Sequence, residues 1–84
     1  MIAMKIVWDE IKRRTNLHKH GFNFADLDVE FFSQAKIYPA KLSRLAAVGN
    51  FADEWITVIF TRLGSEAVSI VSMRSASIKE RNRS

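Results

Sequence analysis

The segment that most constrains the fold is an alternating apolar run in the second half of the chain, Trp55–Leu63. Its residues Ile56, Val58 and Phe60 occupy every second position, so an extended strand places all three on one face. Such a face is stable only when other elements of the chain cover it. The run therefore predicts a β-sheet with one face buried under the rest of the protein.

Weaker segments predict further strands around this one. Ala67–Met73 is the returning strand of a hairpin whose two-residue turn is Gly64-Ser65. Together these segments predict an antiparallel sheet of three or four strands. The two remaining candidates are Leu42–Val48, with Gly49-Asn50 as its turn, and Ala35–Tyr38, ended by Pro39.

The start of the chain predicts a short strand followed by a helix. Ile2–Trp8 is apolar, contains a β-branched pair and predicts a strand. Asp9 is a suitable N-cap for a helix over residues 10–20, and Gly21 is a plausible stop after it.

Two more helical segments complete the predicted fold. Phe24, Leu27 and Phe31 follow the spacing of a buried helical stripe, which predicts a second helix. Near the other end, Ser77 and Glu80 match a capping box and predict a short C-terminal helical turn. The whole pattern predicts an α+β fold in which two N-terminal helices pack on one face of a three- to four-stranded antiparallel sheet.

The composition fits one small globular domain over residues 1–84. Hydrophobic residues make up 48% of the chain, which argues against disorder. There is no cysteine, so disulfides and thiolate metal sites are excluded. No apolar run approaches the roughly 20 residues of a membrane-spanning helix, and the N-terminus lacks the pattern of a secretory signal. These features predict a cytoplasmic protein with no membrane partner.

Basic residues are concentrated at the two ends of the chain, whose formal net charge is +4. Lys5–His20 contains five basic and two acidic residues, and Arg74–Ser84 contains four basic residues and one acidic residue. If the fold brings these ends together, they form one positive surface that favours a polyanionic partner. The alternative is two solvated helix faces that bind no ligand.

The sequence lacks the usual catalytic motifs. Its three glycines are isolated, so no phosphate-binding loop is predicted. His18 and His20 are two residues apart, so a helix points them in different directions and no metal site is predicted. The remaining Lys, Arg and His residues suit cleavage of RNA without metal or cofactor, because the RNA 2′-hydroxyl is itself the nucleophile. A protein that only binds nucleic acid would carry the same residues.

Four short motifs occur in order along the chain: Lys5-Ile6-Val7-Trp8-Asp9, Lys19-His20-Gly21, Ile70-Val71-Ser72-Met73-Arg74 and Lys79-Glu80-Arg81. In this order they resemble the BrnT family, the toxin halves of bacterial type II toxin–antitoxin pairs. The resemblance runs from Met4 to about Arg81, which is nearly the whole chain.

The resemblance implies a RelE-like α+β fold and a ribonuclease activity that inhibits translation and growth. It also implies a co-encoded, BrnA-like antitoxin with a DNA-binding domain of ribbon-helix-helix type. Operator DNA would then be bound only through the antitoxin, and the complex would repress its own operon.

Candidate site residues lie in and around these motifs, and each has a structural alternative. Arg74, for example, suits a phosphate or transition-state contact, but a surface ion pair with Glu66 or Glu80 is the alternative. The catalytic candidates are Arg74, His20, Lys19 and Arg62, and the RNA-binding candidates are Lys12, Arg44, Arg81 and Trp55.

The sequence departs from the family pattern at two strand positions. Many family members have an arginine near Leu63, where this chain has Arg62 one position earlier. A shift of one residue in a strand moves a side chain to the opposite face of the sheet. Ser69 stands where family members tend to have a basic residue. A catalytically degenerate toxin that acts as antitoxin partner and co-repressor is therefore the alternative function.

Overall fold

The computed structural model describes residues 4–83, which form a five-stranded sheet, three α-helices and two 3₁₀ turns. Positions 2 and 3 of the predicted first strand lie outside the described residues. The elements are β1 (Lys5–Trp8), α1 (Glu10–His20), α2 (Val29–Gln34), β2 (Lys36–Pro39), β3 (Leu45–Phe51), β4 (Glu54–Leu63), β5 (Ala67–Ser75) and α3 (Ile78–Arg83), with the 3₁₀ turns at Phe24–Asp26 and Lys41–Ser43.

The sheet is mixed, with the strand order β1-β5-β4-β3-β2. β1 lies parallel to β5, where Lys5 is opposite Ala67 and Trp8 is opposite Ile70, while every other pair is antiparallel. The four strands predicted to form an antiparallel sheet, β2 to β5, are antiparallel, but the sheet has a fifth, parallel strand, so the prediction of a purely antiparallel sheet was wrong in this part. Strand patterns identify a strand but not its partner, and the long connection after β1 permits a parallel pairing.

The hydrophobic core lies on one face of this sheet, called the helix face here. Ile56, Val58 and Phe60 of β4 are all buried there, which confirms the face predicted from their alternation. Val68, Ile70 and Met73 of β5 continue the same surface, and Phe24, Leu27 and Phe31 cover it.

The predicted second helix is interrupted in the middle. The 3₁₀ turn Phe24–Asp26 is followed by Leu27 in an extended conformation, and α2 begins only after Asp28. The Asp28 side chain accepts a hydrogen bond from the Phe31 backbone N–H at 3.0 Å and so caps a new helix. Aspartate side chains compete with the helical backbone in this way. The apolar stripe remains buried although its backbone is not one helix.

The predicted turn at Gly49-Asn50 was also wrong, because both residues lie inside β3. The chain reverses instead at Ala52 and Asp53, whose φ angles are 49° and 65°. Gly49 is not a turn residue but allows the end of α2 to pack closely against β3. A Cβ atom at this position would lie 2.9 Å from Gln34 Nε2 and 3.1 Å from Ala35 Cβ. A glycine in a strand fits such a site as readily as a turn.

Two further boundaries differ from the prediction, and one strand contains an irregularity. β3 begins at Leu45 rather than Leu42, because Leu42 and Ser43 both adopt positive φ angles. The β4–β5 loop has three residues, Gly64 to Glu66, instead of two, since Leu63 pairs with Ala67. β5 also contains a bulge, because Ile59 pairs with Ser72 while the next residue, Phe60, pairs with Ile70.

The predicted helix caps are confirmed. Asp9 accepts hydrogen bonds from the backbone N–H groups of Ile11 and Lys12, and Gly21 ends α1 in the left-handed region at φ 78°. At α3, the Ser77 hydroxyl accepts from the Glu80 N–H at 3.1 Å, and Glu80 Oε1 accepts from the Ser77 N–H at 2.8 Å. The short C-terminal helix thus begins with the expected capping box.

Candidate functional site

The sheet face opposite the helix face, called the outer face here, contains a groove of about 390 Å³. This outer groove lies between the β2–β3 hairpin and α3, and its floor is apolar. Four cations surround it, of which Arg44 and Arg74 were predicted as site residues while Lys41 and Arg83 were not. The lining residues are Tyr38, Pro39, Ala40, Lys41, Arg44, Ala46, Val48, Ile59, Arg74, Glu80 and Arg83.

Arg74 is held in the outer groove by a two-point ion pair with Glu80. Arg74 Nη1 donates to Glu80 Oε1 at 2.7 Å, and Nη2 donates to Oε2 at 2.8 Å. The capping box adds a third hydrogen bond to the same carboxylate, from the backbone N–H of Ser77. The sequence reading named this ion pair as the structural alternative for Arg74, and the structure contains it.

The pair is fully ionised near neutral pH. Hydrogen bonds from Arg74 lower the pKa of Glu80 to about 2, although partial burial acts in the opposite direction. The backbone N–H of Ser77 contributes to this lowering of the pKa. The same contact raises the pKa of Arg74, so the guanidinium is a permanent and oriented charge.

The helix that carries Glu80 rests on the outer face through polar contacts. No residue of α3 is buried, and Ile78 is 74% exposed. The Arg83 guanidinium lies over the Tyr38 ring, 4.0 Å from its centroid, and the Tyr38 hydroxyl donates to the Arg83 carbonyl oxygen. Arg74, Glu80 and the Arg83–Tyr38 contact together place α3 along one wall of the outer groove.

A second groove, of about 260 Å³, runs between α1 and the edge of β5. Lys12 and Lys19 line it from one side of α1, together with His20 at the helix end. All three side chains are exposed, so they are accessible to a ligand. This α1 groove therefore brings together three residues that the sequence identified as candidates.

Asn16 fixes α1 at this edge of the sheet. Its Nδ2 donates to the Met73 carbonyl oxygen at 2.9 Å, and its Oδ1 accepts from the Met73 N–H at 3.0 Å. Nδ2 also donates to the Phe22 carbonyl oxygen at 3.0 Å. Asn16 is only 5% exposed, so these hydrogen bonds are shielded from water and hold the helix firmly.

The two grooves are neighbours on the sheet. Ser72 lines the α1 groove and Ile59 lines the outer groove, and these residues are directly paired between β5 and β4. Arg74 follows Ser72 by two positions on the same strand, so both side chains lie on the outer face. The cations of the two grooves thus border one continuous surface.

Three sequence candidates line neither of these two grooves. Arg62 is on the helix face, where it lines a separate groove with Phe60 and Val68. Arg81 is an exposed residue of α3 and lines neither the outer groove nor the α1 groove. Trp55 lies on the outer face at the start of β4 and is 36% exposed, beside the outer groove rather than in it.

Lys41 and Arg83 are the groove residues that the sequence did not single out. Arg83 belongs to the basic C-terminal segment, but charge alone did not separate it from its neighbours there. Lys41 lies in a hairpin loop where the prediction placed no element between Pro39 and Leu42. Only the folded hairpin places it beside Arg44 and Arg74.

Within residues 4–83, no three His, Asp or Glu side chains are arranged to hold a metal ion. None of the helices described is both long and apolar enough to cross a membrane.

Comparison with known proteins identifies a matching family and a similar structure. A family model for the ribonuclease toxin BrnT of type II toxin–antitoxin systems matches residues 8–80. The 1.1 Å crystal structure of the Brucella abortus ribonuclease toxin BrnT is 58% identical in sequence, with a TM-score of 0.83. The alignment covers 89% of the present chain and 99% of the Brucella chain. Comparison with curated protein sequences found no match.

Proposed function

Because the chain belongs to the BrnT family of ribonuclease toxins of type II toxin–antitoxin systems, we propose that it is a metal-independent endoribonuclease. The substrate is RNA, which is cleaved on the outer face of the sheet, and the cellular result is inhibition of translation and growth. The observation that carries this proposal is the continuous surface formed by the outer groove and the α1 groove, with its seven cationic or titratable residues Lys12, Lys19, His20, Lys41, Arg44, Arg74 and Arg83.

Arg74 is the residue best placed to stabilise charge on the phosphate. Its end-on pair with Glu80 uses one hydrogen of each terminal nitrogen. A guanidinium has five N–H donors in a fixed plane, so the edge formed by Nε and Nη2 is left to contact phosphate oxygens. Glu80 and the capping box keep that edge in a constant direction, as charge stabilisation in a transition state requires.

The remaining residues of the surface divide the other tasks. Arg44 and Lys41 bind neighbouring phosphates along the outer groove. His20 and Lys19, at the end of α1, supply the proton acceptor or donor, because both side chains carry nitrogen atoms that can exchange a proton with the substrate. Lys12 extends the same surface along the helix, and Trp55 offers a ring on which a base stacks.

A catalytically inactive homologue is the second candidate function. The observation that favours it is the position of Arg62, which lies on the helix face and adds no charge to the outer face. Ser69 is likewise uncharged. In that case the protein serves as the partner of its antitoxin and as a co-repressor.

A type II toxin implies an antitoxin partner in either case. We propose a BrnA-like antitoxin of ribbon-helix-helix type, through which the complex contacts operator DNA. The protein itself acts in the cytoplasm.

The proposal is tested by incubating the purified toxin, freed of antitoxin, with total RNA in the presence of EDTA. We expect cleavage that leaves 2′,3′-cyclic phosphate ends. Arg74→Ala should lower the rate at least about 100-fold, because it removes the main charge opposite the phosphate. Arg14→Ala, which removes an exposed arginine on α1 that lines neither groove, is the matched control and should keep wild-type activity. Folded wild-type protein that cleaves no RNA would favour the inactive homologue.

A further inference from the structure

The tip of the β2–β3 hairpin is strained. Leu42 has φ 60° and ψ 39°, and Ser43 follows with φ 59°. Left-handed conformations are unfavourable for residues other than glycine, and a leucine has no polar side chain to compensate. Two backbone hydrogen bonds close the loop around them, from Ala40 N to Arg44 O at 2.9 Å and from Arg44 N to Lys41 O at 3.2 Å. The hairpin therefore holds a conformation that its own residues disfavour.

The strained position carries an exposed apolar side chain. Leu42 is 79% exposed, so it adds little to the hydrophobic core. Backbone strain that is not offset by burial of the side chain is found at functional sites. Leu42 follows Lys41 directly and precedes Arg44 by two positions, and both of these residues line the outer groove. Leu42 itself does not line the groove, but it belongs to the loop whose residues Lys41 and Arg44 do, so its exposed side chain lies close to the proposed RNA surface.

We propose that Leu42 is a wedge that inserts between two neighbouring bases of RNA in the outer groove and holds them apart at the cleaved phosphate. The inference rests on the proposed function and adds to it a positioning residue for the substrate. Apolar side chains separate stacked bases in this manner in other nucleic-acid complexes. RNA-binding proteins likewise recognise bases that are splayed out of a stack.

The chemistry of RNA cleavage explains why such a wedge is useful. The 2′-oxygen forms a bond to phosphorus while the bond from phosphorus to the 5′-oxygen breaks. The proton of the 2′-hydroxyl leaves with a base, and a proton is returned to the 5′-oxygen. The three reacting atoms must lie in a line, which stacked neighbouring nucleotides do not allow. Separating the two bases prepares the aligned conformation.

The charges around Leu42 favour RNA over a protein as its partner. Lys41 and Arg44 flank it, and Arg74 and Arg83 lie across the same groove. An apolar side chain among four cations suits a ligand with flat apolar bases on a chain of phosphates.

The test uses short 2′-O-methyl RNA oligonucleotides, which cannot be cleaved, each with 2-aminopurine at one position. The fluorescence of this base rises when it is unstacked. Wild-type protein should raise it about twofold or more at one position, and Leu42→Ala should abolish the rise while changing Kd less than about threefold. Cleavage of the matching unmodified RNA should fall about 10- to 100-fold in Leu42→Ala, and Leu42→Met should restore both signals. Leu63→Ala removes an exposed leucine at the end of another hairpin strand and should behave as wild type.

A glycine variant distinguishes the effect of the backbone strain at position 42 from the effect of the leucine side chain. Leu42→Gly relieves the left-handed strain, so it should raise the Tm while losing the fluorescence change.

The outcomes separate this inference from the proposed function. An unchanged fluorescence rise in Leu42→Ala, with normal cleavage, would overturn the wedge alone and leave a protein as the partner of Leu42. Unstacking that needs Leu42, without any RNA cleavage, would support the wedge and contradict the ribonuclease. Folded wild-type protein that binds none of the oligonucleotides would overturn both.

Discussion

Asn16 lies in a helix, but its side chain makes the two backbone hydrogen bonds that a neighbouring strand would otherwise make. β1 ends at Trp8, opposite Ile70, so the edge of β5 beyond that point has no neighbouring strand in the described sheet. The Asn16 amide both accepts from and donates to the Met73 backbone, as a paired strand would. One buried side chain therefore ends the sheet and fixes α1 beside it.

Asn16→Ala should lower the free energy of unfolding by about 2–3 kcal/mol, because it leaves the buried N–H and C=O of Met73 without partners. Urea denaturation followed by circular dichroism measures the change. Asn82→Ala, at an exposed asparagine of α3, is the control and should stay within about 0.5 kcal/mol of wild type. Equal midpoints for the two variants would contradict the role assigned to Asn16.

Single residues also show where sequence reasoning succeeds. Alternation in β4 placed Ile56, Val58 and Phe60 in the core, and local patterns located the caps Asp9 and Gly21. These features depend on neighbours in sequence, so the sequence contains the information for them.

Among the elements, α3 is held mainly by charge. None of its residues is buried, and the Arg74–Glu80 pair is its strongest contact with the sheet. A helix of this length is marginal by itself, so its position depends on that pair. This dependence makes the stability of the fold sensitive to acid.

The Arg74–Glu80 pair should stabilise the fold above pH 4.5 and lose its effect as the pH falls toward 2. The pKa of Glu80 is lowered from 4.5 to about 2 in the folded chain, so acid protonates the unfolded state first. Glu80→Gln should cost about 1 kcal/mol at pH 7, since the pair is partly exposed. This corresponds to a Tm lower by about 4–8 °C.

Thermal denaturation between pH 7 and pH 2.5 provides the measurement. The difference in Tm between wild type and Glu80→Gln should narrow as the pH falls below 4.5. A constant difference over this range would show that the charge of Glu80 does not stabilise the fold.

Element boundaries were harder to predict where two local signals compete. Asn23 and Asp28 both cap helical turns, and the second cap interrupts the helix that the apolar stripe predicted. Gly49 looked like a turn residue, but its small size is needed where Gln34 and Ala35 approach β3. Such contacts involve distant residues, and a single sequence does not reveal them.

For the whole molecule, the order of the strands in the sheet determines which basic side chains lie near one another. The pairing of β1 with β5 and the hydrogen bonds of Asn16 to Met73 bring the basic helix α1 beside the strand that carries Arg74. The charge distribution alone had left open whether the two basic ends meet. The α1 groove and the outer groove border each other as a result. The sequence contained the candidate residues Lys12, Arg44 and Arg74, but only the topology placed them on one surface.

RNA binding should therefore depend steeply on salt. With about four phosphates neutralised, the logarithm of the binding constant should fall with the logarithm of the salt concentration at a slope of about −3. The variant with both Lys41→Ala and Arg44→Ala should reduce the slope by about 1.4. Titrations of a 2′-O-methyl RNA at several salt concentrations measure this, with Arg14→Ala as control. A slope that is equal in both variants would place the bound RNA elsewhere.

The parallel pairing of β1 with β5 also determines the order in which a newly made chain can fold. Lys5 is synthesised early, but its partner Ala67 follows only after β2, β3 and β4 have been made. The strand β5, which lies between β1 and β4 and carries Arg74, is made only then. A nascent chain that stops before β5 has no strand to pair with β1, and it lacks Arg74 on the outer face. Contacts this distant in sequence form slowly, so the surface shared by the two grooves is complete only after β5 and α3 have been translated.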